Sequence, residues 1–149
     1  MKSLVLLCLA VFLAVYLQES YQAPPEKNCR QVAAQFTKRQ IQGISQCTKS
    51  MKFKNGKEKS KKMNCILRCV MIRENLLGGD GQVTQEIYNR FVEAEFPGAL
   101  MERFNGTFWS CMQIAFSGFK TLEEDEFCLT YDPFIKCMMG NVPGLCNWT

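Results

Sequence analysis

The sequence predicts an all-α protein, a compact bundle of about six short helices stapled by disulfides. Apolar residues recur at helical spacing in several segments, as Ile87, Phe91 and Ala94 do. No long stretch alternates apolar and polar residues, so strands are not expected. An even number of cysteines follows the first 20 residues, as in crosslinked secreted proteins. With 149 residues, 47% of them hydrophobic and 21% charged, one folded domain is expected.

The amino-terminal segment, residues 1–20, has the pattern of a secretory signal peptide. Leu4–Leu17 is an unbroken apolar run of 14 residues, long enough for the core of a signal and short for a membrane span. Cleavage after Ser20 is favoured over cleavage after Ala23, because a proline follows Ala23. The sequence therefore predicts a secreted helical domain over residues 21–149, without a transmembrane anchor.

The first part of this domain is expected to hold four helices, of which the last two end at glycine or proline. A Gly-Gly-Asp-Gly run ends the third helix, and a Pro-Gly pair ends the fourth. The expected ranges are Glu26–Lys38, Arg39–Met51, Lys61–Leu77 and Thr84–Phe96.

The second part is expected to contain the central helix of the bundle. Ala99–Phe104 should add one or two turns, and Phe108–Phe119 is apolar around most of its circumference, as a buried helix is. Thr121 and Glu124 have the spacing of a capping box and predict a further helix. Phe134–Met139 should form a last turn or two.

The chain contains no histidine, and this excludes many catalytic mechanisms. Ser-His and Cys-His nucleophile pairs cannot form, and no imidazole can bind a metal ion. The carboxylates of Glu123–Glu126 are explained by exposure at a helix start. We therefore expect a protein that is not an enzyme and has neither a cofactor nor a metal site.

Eight cysteines remain when Cys8 leaves with the signal, and we expect them to form four disulfides among 105 arrangements. Two explanations fit so many crosslinks in a chain of this size. They could offset the packing energy lost to an internal apolar cavity, or they could protect a secreted protein from proteases. The eight are Cys29, Cys47, Cys65, Cys69, Cys111, Cys128, Cys137 and Cys146.

The cysteine spacing resembles that of the insect odorant-binding protein family. Cys65 and Cys69 enclose three residues, Cys111 follows after 41 more, and Cys128 and Cys137 enclose eight. The helix end and glycine-containing turn after Cys69 are also similar to the family's. The resemblance implies a helical fold around an apolar pocket and extends from Cys29 to Cys137, most of the mature chain.

This chain has two cysteines more than the usual six, as do short salivary relatives of the family in blood-feeding flies. The resemblance implies the pairs Cys29–Cys69, Cys65–Cys128 and Cys111–Cys137, which leave Cys47–Cys146. An alternative exchanges Cys29 and Cys47 and keeps the bridges Cys65–Cys128 and Cys111–Cys137.

The function that the resemblance implies is sequestration of small hydrophobic ligands, which are odorants or lipids in a sensory carrier and host mediators in a salivary protein. A structural or toxin-like protein without a cavity is a third class. Apolar side chains that could line the pocket, each also suited to plain core, are Met71, Leu76, Phe91, Met101, Phe104, Phe108, Met112, Phe116, Phe119, Phe127 and Phe134.

A lysine-rich segment supports a different function. Residues 49–62 hold seven lysines and one acid, Glu58, which gives a local charge of +6. Such a surface could bind an anionic polysaccharide of the heparin type or polyphosphate, although a solvated loop would have the same composition. Phe53 is its one aromatic residue, so no specific nucleic-acid partner is expected. The lysines are Lys49, Lys52, Lys54, Lys57, Lys59, Lys61 and Lys62.

Asn105 begins an Asn-Gly-Thr glycosylation sequon between two expected helices, where a glycan would be accessible. No repeat or linker divides the chain, and we expect a monomer or a weak dimer.

Overall fold

The computed structural model describes residues 28–96 and 98–146. Within this part of the chain it is all-helical, with six α-helices, two 3-10 turns and no strand. The predicted fold class is confirmed. The expected signal, residues 1–20, lies outside the described residues. The helices are α1 (Cys29–Ser50), α2 (Gly56–Lys61), α3 (Met63–Arg73), α4 (Gln85–Glu95), α5 (Ala99–Phe116) and α6 (Asp132–Asn141).

Helix α1 is one continuous helix where two were predicted. A capping box starts it: Asn28 Oδ1 accepts from the Gln31 N–H at 2.9 Å, and Gln31 Oε1 accepts from the Asn28 N–H at 3.3 Å. The helix continues through Gly43, which is buried against α3. A Cβ atom at Gly43 would lie 3.0 Å from Val70 Cγ1, so this glycine permits a close approach of the two helices.

Helix α3 ends in a turn that buries two leucines. Asn75 adopts a left-handed backbone conformation with φ +60°, and the N–H groups of Leu76 and Leu77 both donate to the Met71 carbonyl. This hydrogen-bonding pattern turns the chain away from the axis of α3. Leu76 and Leu77 are consequently buried beside the helix that they follow.

Tyr131, which directly precedes α6, holds the turn after α3 in place through two hydrogen bonds. The Tyr131 hydroxyl donates to the Gly81 carbonyl at 3.0 Å and accepts from Arg68 Nε at 2.9 Å. Gly81 has φ +86°, and a Cβ atom there would meet the Arg68 guanidinium at 2.3 Å and the Tyr131 hydroxyl at 2.6 Å. Only glycine fits this position without displacing the contact.

Helix α5 extends over both segments that were predicted on either side of Asn105, because Gly106 does not interrupt it. The helix predicted from Thr121 is wrong, since this segment forms only turns. The Asp125 carboxylate accepts from the N–H groups of Leu129 and Thr130 and from the Thr130 hydroxyl, at 2.7–2.9 Å. These bonds fix the 3-10 turn Leu129–Tyr131, which leads into α6.

The aromatic core lies mainly between α4 and α5. Phe96 and Phe104 stack with ring centroids 4.2 Å apart, and the Phe104 and Phe108 centroids are 4.5 Å apart. A second stack joins Phe119 to Tyr131 at 4.1 Å. Outside this core, α1 packs on α3 and α6 packs on α5.

Four disulfides tie the helices together. The bridges Cys65–Cys128 and Cys111–Cys137 agree with the prediction. The favoured pairs Cys29–Cys69 and Cys47–Cys146 are wrong, because the structure contains the alternative, Cys47–Cys69 and Cys29–Cys146. Cys47 faces Cys69 across the close α1–α3 contact, whereas Cys29 lies at the opposite end of α1.

We predict that a proteolytic digest made without reduction will contain Cys29 linked to Cys146 and Cys47 linked to Cys69. Mass spectrometry of the linked peptides, compared before and after reduction, measures this directly. A peptide that joins Cys29 to Cys69 would contradict the pairing of the structure.

Asp125 provides a test of the loop before α6. Burial of its carboxylate opposes ionisation, but the hydrogen bonds from Thr130 and Leu129 outweigh this and lower its pKa. Asp125→Asn should reduce the free energy of unfolding by about 1–3 kcal/mol, because an amide cannot accept all three bonds. Denaturant unfolding measures this loss.

The loss should depend on pH. A lowered pKa means that the ionised Asp125 stabilises the fold above the unfolded-state value of about 3.9 and stops doing so as the pH falls through the folded-state value. The variant and the parent protein should therefore converge in acid. Glu124→Gln is the control, since the Glu124 side chain is exposed and should leave stability unchanged. An equal loss at all pH values would contradict this account.

Candidate functional site

An apolar cavity of about 290 Å³ lies between α1, α3 and α6. Each helix contributes side chains at spacings of three or four residues, so one stripe of each faces the same space. The 3-10 turn after α6 borders it as well. The lining residues are Phe36, Thr37, Gln40, Ile44, Leu67, Met71, Glu74, Leu76, Ile135, Met138, Met139 and Val142.

Two of the predicted pocket residues, Met71 and Leu76, line this cavity. Phe91 borders a second crevice as well as the aromatic core. Phe127 is partly exposed and carries the Lys62 ammonium 5.9 Å from its ring centroid. The remaining seven belong to the main core or pack against it: Met101, Phe104, Phe108, Met112, Phe116, Phe119 and Phe134.

The predicted phenylalanines do not line the cavity, because all of them except Phe127 pack against other aromatic rings. The sequence shows their abundance and spacing, but it does not show that rings of α4 and α5 fill the space between those helices. The stripe of Phe36, Gln40 and Ile44 on α1 is the signal that could have located the cavity. Each apolar helix has such a stripe, however, and only the packing identifies the one beside an open volume.

A charged cluster stands at one side of the cavity. Arg39 Nε donates to Glu74 Oε2 at 2.9 Å, and Arg39 Nη2 donates to Glu95. Burial opposes the charge of the guanidinium, but these two carboxylates outweigh it and raise the pKa of Arg39. Glu74 lines the cavity and Arg39 does not, so a carboxylate is the charged group that faces the cavity.

A second crevice, of about 740 Å³, lies on the other side of Glu74. It runs between the end of α3 and α4, and Glu74, Arg90 and Glu95 make it more polar than the first. Glu74 therefore separates an apolar space from a polar one.

The lysine-rich segment forms the end of α1, a short loop and α2. Asn55 caps α2 through the Glu58 N–H at 2.9 Å, and the Lys54 N–H donates to the Glu58 carboxylate at 2.6 Å. Lys62 forms ion pairs with Glu58 at 3.6 Å and Glu126 at 3.2 Å. Lys62 and the one acid of the segment are thus engaged in structural contacts.

The other six lysines of the segment are exposed, and in the described part of the chain none of them forms an ion pair. Along the chain they run from the last turn of α1 through α2. They are Lys49, Lys52, Lys54, Lys57, Lys59 and Lys61.

The glycosylation sequon lies inside α5, so its predicted position between two helices is wrong. The Tyr88 hydroxyl donates to Asn105 Oδ1, and the Thr107 hydroxyl is buried without a hydrogen-bond partner. The attachment of a glycan to Asn105 stays a prediction.

Comparison of the chain with protein-family models, curated proteins and solved structures finds no match. Across residues 28–96 and 98–146, no helix has the length and apolar character that a membrane crossing requires. The same residues contain no group of three or more cysteine and acidic side chains placed to hold a metal ion.

Proposed function

We propose that this protein is a secreted carrier or scavenger that sequesters a small hydrophobic ligand in the cavity between α1, α3 and α6 and performs no enzymatic reaction. The observation that carries the proposal is the cavity itself. Its wall is apolar apart from Thr37, Gln40 and Glu74, and its volume of about 290 Å³ suits a small molecule.

The wall chemistry supports binding by burial of apolar surface. Burial of about 200 Å² of ligand surface contributes about 5 kcal/mol before the cost of association is subtracted. Met71, Met138 and Met139 give part of the wall flexible thioether side chains, which adapt to ligands of different outline. Met139 is 66% exposed and marks the side where a ligand can enter.

The disulfides support both secretion and the odorant-binding type of scaffold. Four bridges are typical of an oxidising compartment. The six cysteines from Cys47 to Cys137, counted in chain order, pair first with third, second with fifth and fourth with sixth. That is the interlocked order that the family resemblance implies, and Cys29–Cys146 is then the added bridge.

We predict that Ile44→Trp will fill part of the cavity and weaken the binding of a fluorescent apolar probe at least tenfold. Ile44 lines the cavity. Fluorescence titration of the purified, disulfide-bonded protein measures the dissociation constant. Circular dichroism establishes that the variant is folded, and Met138→Trp fills the same space from α6.

Ile41→Trp is the matched control. It makes the same change on the same helix at a side chain that is 64% exposed and outside the cavity. Probe binding should therefore be retained. Equal affinity in all three variants and the parent, or no binding by the parent, would refute a ligand site in this cavity.

The lysine-rich segment supports a second candidate function, the binding of an anionic polymer such as a heparin-like polysaccharide or polyphosphate. Six exposed ammonium groups without ion pairs in the described part of the chain attract polyanions in proportion to their number. Each contact releases counterions, so binding should weaken as salt rises.

We predict that the triple change Lys57→Gln, Lys59→Gln and Lys61→Gln will lower the salt concentration at which the protein elutes from a heparin column. The control removes three exposed cations elsewhere, by Lys38→Gln, Arg103→Gln and Lys120→Gln. Its elution should shift much less. Equal shifts would show that net charge, and not this segment, determines retention. Apolar-probe binding should survive in both variants.

A further inference from the structure

We propose that Glu74 makes the cavity selective for apolar ligands that carry a hydrogen-bond donor, a hydroxyl or an ammonium group, and disfavours ligands that carry a carboxylate. This inference rests on the proposed function of the cavity as a ligand site. It adds the chemical class of the ligand's polar end, which the apolar wall leaves open.

The position of the Glu74 carboxylate supports this selectivity. Glu74 directly follows the last residue of α3 and has a side chain that is 15% exposed, so it is largely shielded from solvent. One of its oxygens, Oε2, accepts from Arg39 Nε at 2.9 Å. A carboxylate has about four acceptor sites, and acceptor capacity is therefore left for a group inside the cavity.

The negative charge of the cluster beside the cavity also supports this selectivity. Arg39 carries one positive charge and is shared between Glu74 and Glu95, so the three side chains together carry a charge of −1. Among the described residues that line the cavity, Glu74 is the one with an ionisable side chain. A ligand carboxylate would meet the Glu74 carboxylate, which is largely shielded from solvent, and like charges repel there more strongly than in open water.

The hydroxyl of Thr37, a neighbouring polar group, supports this selectivity as well. Thr37 also lines the cavity, and its hydroxyl donates to the Ala33 carbonyl at 2.8 Å. That bond occupies the hydroxyl proton and leaves the oxygen as an acceptor. Glu74 and Thr37 thus both present acceptors, which a ligand satisfies only by donating. Gln40, the third polar residue of the wall, has an amide that both donates and accepts and so favours neither kind of ligand.

The test compares octanol, octylamine and octanoate, which share an alkyl chain, by displacement of a fluorescent apolar probe near neutral pH. Octanol and octylamine should each displace the probe about tenfold more effectively than octanoate. Glu74→Gln should bring octanoate to within about threefold of octanol and weaken octylamine, because the amide keeps the size of the side chain and removes its charge. Added salt should weaken octylamine and leave octanol unchanged, because only the ammonium is attracted by its charge. This difference distinguishes recognition of the ammonium from recognition of the hydroxyl.

Glu93→Gln is the control, since it removes an exposed carboxylate of α4 that belongs neither to this cluster nor to this cavity. It should leave octanoate the weakest ligand. If the parent binds the probe and the three ligands equally, or favours octanoate, the inference is wrong while the carrier function stands. If the parent binds no probe, the carrier function fails and the inference with it. The ranking in the parent protein decides the matter even if Glu74→Gln does not fold.

Discussion

Among the described residues, the arrangement of α1 and of the loop before α6 depends on α3, which disulfides hold on two sides. Cys65 and Cys69 lie one turn apart and bind different partners, Cys128 in the loop before α6 and Cys47 on α1. Between them, Ile66 is fully buried. Neither α1 nor the loop before α6 can slide along α3 without breaking a covalent bond. The position of each is therefore fixed relative to α3.

This constraint explains how an apolar cavity can persist in a small protein. A packed interior normally collapses around empty space, since every wall atom loses dispersion contacts there. Here α1 is tied to α3 by Cys47–Cys69 and to the segment after α6 by Cys29–Cys146. The large rings that could have filled the space stack instead between α4 and α5. The three helices around the cavity therefore cannot approach one another freely.

The sequence predicts the helical fold class, but it does not predict where several helices begin and end or which residues they bring together, and the cysteines show why. Periodicity and cysteine count establish a crosslinked helical fold, but the choice between Cys29 and Cys47 needs the length of α1. In one continuous helix these residues are roughly 27 Å apart, so only one of them can reach Cys69. Because the sequence predicts two helices that meet at Arg39, the distance between Cys29 and Cys47 could not be calculated from the rise of a single helix. Two of the predicted pocket residues line the cavity and the others do not, because its wall combines stripes of three helices that are distant in sequence.

The two candidate functions use opposite electrostatics in adjoining parts of the same helix. The middle of α1 supplies Ile44 to an apolar cavity beside the negative Arg39–Glu74–Glu95 cluster, and its last turn begins the lysine surface at Lys49. Burial of apolar ligand surface in the cavity depends little on salt, whereas the attraction of a polymer to the exposed lysines weakens as salt rises. No lysine of the segment lines the cavity. Binding at one site therefore uses none of the side chains of the other, and a protein of this design can hold a small ligand while bound to a polyanion.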